Sequence, residues 1–192
     1  MERVSFSNST DHALVAYLVK KYNEAENGPA LGRTILQKLC YLARAQGVPF
    51  TFQFDIHHYG PFCAELFSVA GDLIADRVIC GQNSDFSSSR YVPGPACEQL
   101  LRRKKTFLEK SKTTLDQMVS QFGEMSTQEL ELITTIHYVY CAAGFRGKSK
   151  REFVVNTVRD IKRDKFPRNV IRSMFDELDK SRLLAWNPSG VH

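Results

Sequence analysis

The sequence holds no Cys-x-x-Cys pair, no His-Glu-x-x-His, no glycine-rich phosphate loop and no nucleophile elbow. The five cysteines (Cys40, Cys63, Cys80, Cys97 and Cys141) are odd in number, far apart and set among apolar residues. That pattern suits reduced, buried thiols and a cytoplasmic setting, not a disulfide framework or a zinc knuckle. No apolar run approaches the roughly 18 residues that span a bilayer, and the first residues lack the apolar core of a signal peptide. No membrane, metal or cofactor partner is therefore expected, and neither is enzymatic activity.

What remains is a chain of 192 residues, 43% hydrophobic and 24% charged, long enough to bury a core without staples. The periodicity predicts an α+β, mostly helical protein. Thr10 or Asp11 can cap a first helix that stops near Asn27-Gly28-Pro29, and a second helix runs from about residue 32 to 45. Residues 51–56 alternate and read as a strand, and Pro61 suits the start of a third helix over 62–76. A hairpin is expected from residues 77–80 and 90–92, joined by a serine-rich loop. This order of three helices, a strand and a hairpin is winged-helix-like, and fills an N-terminal part of residues 1–95. The C-terminal part, 96–192, reads as helical: a long segment over 96–122, a central helix opened by the capping box Ser126-Thr127-Gln128-Glu129, a helix over 150–163, a last helix from Pro167 with Val170 among its inward residues, and a short strand at 183–186.

Two motifs carry a resemblance. Leu36-Gln37-Lys38-Leu39-Cys40-Tyr41-Leu42 lies on the second helix, and Tyr59-Gly60-Pro61, followed by Glu65-Leu66, closes the strand and opens the next helix. In this order they resemble the Panacea antitoxin domain and the related YwgA-type bacterial proteins. The resemblance implies a helical domain that pairs with a partner protein, often a toxin, and in some cases delivers it to a protease.

His57 and His58 are adjacent, so on a strand their side chains point to opposite faces and cannot share one metal. Gln37, Tyr41 and Arg44 recur at i, i+4, i+7 and form a polar stripe on an otherwise apolar helix, either solvated or turned to a partner. With His58 and Tyr59, this stripe is the expected partner-binding surface. A second reading comes from charge. The net charge is +5, and between Arg146 and Arg172 basic residues outnumber acidic ones by seven. Arg146, Lys148, Lys150, Arg151, Arg159, Lys162, Arg163, Lys165, Arg168 and Arg172 would make a continuous phosphate-binding surface, the mark of a DNA- or RNA-binding regulator. The acidic, apolar helix over 62–76 is a poor fit to a phosphate-lined groove.

Overall fold

Ser9 opens the first helix. Its hydroxyl accepts from the backbone of His12, and the His12 ring reaches back to the Ser9 amide, so the cap lies one residue ahead of the expected Thr10. The computed structural model describes residues 6–82, 90–144, 148–163 and 165–186. Its elements are α1 (Thr10–Glu24), α2 (Arg33–Ala45), β1 (Asp55–His57), β2 (Gly60–Phe62), α3 (Glu65–Ala75), β3 (Ile79–Gln82), β4 (Arg90–Pro93), α4 (Cys97–Arg103), α5 (Lys105–Phe122), α6 (Thr127–Ala142), α7 (Lys148–Lys162) and α8 (Arg168–Lys180), then a 3-10 turn at Leu183–Ala185. The protein is α+β and mostly helical. No helix among the described residues is long and apolar enough to cross a membrane.

The alternation over 48–54 is real but makes no ladder. Val48, Phe50, Phe52 and Phe54 are buried while Pro49, Thr51 and Gln53 are exposed. The backbone of this stretch is tied sideways, Thr51 donating its amide to Asp11 at 3.0 Å, and regular pairing begins at Asp55. β1 then pairs antiparallel with β2, Ile56 opposite Pro61 and His57 opposite Gly60. Pro61 thus lies in a strand and not at the head of a helix. The reason is local: Gly60 turns the chain at φ +91°, and Gln37 clamps the backbone of Cys63, which holds the chain extended until α3 starts at Glu65.

The hairpin β3–β4 forms a second two-stranded sheet, so the winged-helix pattern of one strand joined to one hairpin gives way to two separate hairpins. The loop expected over 81–89 lies, from residue 83 on, outside the described residues. The long segment 96–122 divides into α4 and α5 at Lys104, within the run of four basic residues. Val170 faces outward, 40% exposed, because Ile171, Phe175 and Leu178 already fill the buried stripe of α8. The expected final strand is the 3-10 turn.

α6 is the central element. Every residue from Leu130 to His137 is buried, and the helix touches α2, β2, α7, α8 and the final turn. One cluster of buried residues runs from α1 through to Leu184 and includes side chains of both halves.

Candidate functional site: a hairpin tip clamped from below

The turn at 57–60 projects Tyr59, which is 61% exposed, from a backbone fastened underneath by buried amines. Lys38 of α2 donates to the carbonyl of Pro61 at 2.7 Å, and Lys162 of α7 to the carbonyl of His58 at 3.0 Å. Both lysines are fully buried. Glu131 of α6, buried too, pairs with Lys162 at 3.5 Å and with Lys165 at 2.8 Å. Gly60 fits against α6 so closely that a β-carbon there would stand 2.6 Å from Thr135 Oγ1. From the side, His58 Nδ1 donates to the Ile161 carbonyl at 3.1 Å.

Burial drives the Lys38 amine down to about 7, helped by the neighbouring Lys162 charge and opposed by Glu131. Burial lowers Lys162 as well, with Glu131 pulling the other way. Two or three amines around one carboxylate is a costly arrangement inside a protein. Here two of those amines hold an irregular piece of backbone, through the carbonyls of Pro61 and His58.

Around the tip the surface is aromatic. The His57 ring lies 4.9 Å from Phe62, Phe62 lies 5.5 Å from Phe67, and the Arg33 guanidinium sits 5.5 Å over Phe67. Lys165 approaches the face of Tyr59 at 5.9 Å.

The expected partner surface is therefore corrected in part. His58 and Tyr59 are exposed at the tip, and Arg44 is half-buried. Gln37 is interior, its amide accepting from the Cys63 N–H at 2.9 Å and donating to the Cys63 carbonyl at 2.7 Å. Tyr41 is wholly buried and donates to His137 Nδ1 at 2.7 Å, while His137 Nε2 donates to the Trp186 carbonyl at 2.7 Å. Gln37 and Tyr41 are polar because they bond buried backbone and a buried imidazole, not because they meet solvent.

The basic surface is corrected at Lys162, which points into the core. Lys165 is shared with the same Glu131. Arg168 and Arg172 converge on Glu152, each at 2.8 Å, and Arg151 binds Asp176 and Glu152. Lys150 lies 3.6 Å over the Tyr140 ring. Arg159 and Arg163 are exposed, and Arg159 too has a partner. Arg146 and the side chain of Lys148 lie outside the described residues. No group of three or more metal-ligating side chains gathers among the described residues.

Lys38, Glu131 and Thr135 had no part in the expected site. Their signal was faint: a charged residue inside an apolar stripe (Lys38 in Leu36–Leu42) and another inside a helix apolar on most sides (Glu131 between Leu130 and Leu132).

No family model matches the chain. Over 145 residues it is 26% identical to the uncharacterized protein YwgA of Bacillus subtilis (strain 168), an overlap of 72% of this chain and 80% of YwgA. The chain is YwgA-like. The likeness carries no activity with it, because YwgA is itself uncharacterized.

Proposed function

We propose that this YwgA-like chain is a non-enzymatic interaction module that binds a partner protein through the tip and flank of the β1–β2 hairpin. The antitoxin or proteolysis-adaptor kind, suggested by its Panacea-like motifs, is the form of this reading we favour. One observation carries it: an exposed Tyr59 stands on a turn whose backbone is bonded from beneath by two buried amines. Binding through a mobile loop loses affinity to the ordering of that loop; a turn already fixed avoids the loss. Tyrosine and arginine are the side chains most often at the energetic centre of protein interfaces. Tyr59, Phe62, Phe67 and Arg33 supply that chemistry on adjoining elements. Lys38 and Glu131 are both buried.

The test replaces Tyr59 with a photo-crosslinking phenylalanine derivative in cells, with Phe67 as a second position and the exposed Lys180 as control. A discrete protein adduct at Tyr59 and Phe67, absent at Lys180, is the expected result. Equal labelling at all three positions would sink the reading. Adducts to nucleic acid that vanish steeply with salt would favour the regulator instead.

A further inference from the structure

Four cations stand in a row where α4 meets α5: Arg102, Arg103, Lys104 and Lys105. Three are exposed and Lys104 is half-buried. We infer that this corner is a contact surface for the phosphate backbone of a nucleic acid, held by charge and not by base sequence. It lies apart from the hairpin tip and does not depend on what the tip binds.

The first observation is the contrast with the basic residues nearer the C-terminus. There Lys162, Lys165, Arg151, Arg168 and Arg172 meet the carboxylates of Glu131, Glu152 and Asp176. At the corner, Arg102, Arg103 and Lys104 have no ion pair among the described residues. Lys105 has only Glu109, 3.9 Å away with both side chains in solvent, a pair that neutralises little.

The second observation is where the run falls. The 18-residue helix α5 starts at Lys105, with Lys104 before it, no side-chain cap and no carboxylate in its first turn. Two lysines there stand against the positive end of the helix dipole, where a negative charge is favoured. They also stand beside two arginines. The corner thus gathers repulsion that an outside anion relieves.

The surroundings select the partner. No large apolar side chain of α4 or α5 is exposed among the described residues. A protein partner would bury an apolar centre, and a lasting hold on a lipid surface adds an inserted apolar face to basic charge. A surface of cations, flanked by the exposed polar side chains of Gln99 and Thr106, suits a chain of phosphates instead.

The experiment measures fluorescence anisotropy of a short labelled DNA duplex titrated with the full chain. Saturable binding is expected at low salt, alike for two unrelated sequences, and weakened about a hundredfold from about 50 to about 200 mM salt if four phosphates are met. Replacing the pair Arg102→Gln and Arg103→Gln should weaken binding about tenfold or more and lower the slope of log affinity against log salt by about two. Arg168→Gln with Arg172→Gln removes the same charge elsewhere and should leave binding near that of the parent. Lys104→Gln with Lys105→Gln should repeat the loss, so the reading does not hang on one variant keeping its fold. Absence of saturable binding at low salt, or equal weakening by the corner and C-terminal pairs, would overturn the inference. Tighter binding to phosphatidylserine vesicles than to the duplex would overturn the assignment to nucleic acid.

Discussion

Lys38 titrates far from where a lysine in an unfolded chain does. Its amine is held down to about 7 by burial and by Lys162, against about 10.5 when solvated. Below pH 7 both folded and unfolded forms carry the proton, and the folded form bears the whole penalty of a buried charge. Between 7 and about 10.5 the unfolded chain holds a proton that the folded one has released, so stability rises with pH by up to about 1.4 kcal/mol per unit. Lys162 shifts in the same direction. Urea unfolding should therefore show greater stability at pH 9 than at pH 7, and Lys38→Met should flatten that slope. An unaltered slope in the variant would show that Lys38 titrates normally. Gln37 acts through neutral bonds instead. Gln37→Ala leaves a buried N–H and a buried carbonyl of Cys63 without partners, and should cost about 2–4 kcal/mol. An unchanged urea midpoint would mean that water replaces the amide. Tyr59→Ala, by contrast, removes an exposed ring and should leave the midpoint within about 0.5 kcal/mol of the parent.

At the scale of the element, legibility depended on whether a boundary is set by the residues beside it. The Ser126–Glu129 box is such a case: Ser126 accepts from Glu129 N at 3.2 Å, and the Glu129 carboxylate accepts from the Ser126 amide at 2.8 Å, where the motif placed them. Ser126→Ala should therefore destabilise the protein by about 1 kcal/mol, read as a lowered melting temperature, while a change at exposed Gln128 should not. The course of the chain from Phe50 to Cys63 was less legible. Alternation over 51–56 signals which side chains are buried and cannot say whether a neighbouring strand exists to pair with. Pro61 fits a helix start as well as it fits a strand, and the choice is made by Gly60 at positive φ and by Gln37, 26 residues from Cys63 in sequence. The candidate site followed the same division. The exposed aromatic at Tyr59 was readable from its motif. Lys38, Glu131 and Lys162 were not, because each is explained by a partner on another element. A polar stripe at helical spacing looks the same whether it faces water or a buried amide.

Across the whole molecule, the excess of basic residues near the C-terminus shrinks once its neighbours are counted. Glu131, Glu152 and Asp176 come from three different helices and engage Lys162, Lys165, Arg151, Arg168 and Arg172. The pairs draw α7 onto α8, and α6 onto the segment that joins them. Glu152→Gln should release two guanidinium groups at once and strengthen retention of double-stranded DNA in a low-salt mobility shift relative to the parent. Identical retention would show that Glu152 does not mask that surface. The bond from His137 to the Trp186 carbonyl has another use. Trp186 is the sole tryptophan, half-buried with its ring edge-on to Phe122 at 6.1 Å, so light absorbed by tryptophan and not by tyrosine excites a single ring, at the place where the last turn docks on α5 and α6. Its selectively excited emission reports that docking. If the last turn detaches before the core opens, the emission will move to longer wavelength at lower denaturant than the loss of helical circular dichroism, and the gap between the two midpoints measures how far that end of the chain is held independently of the rest.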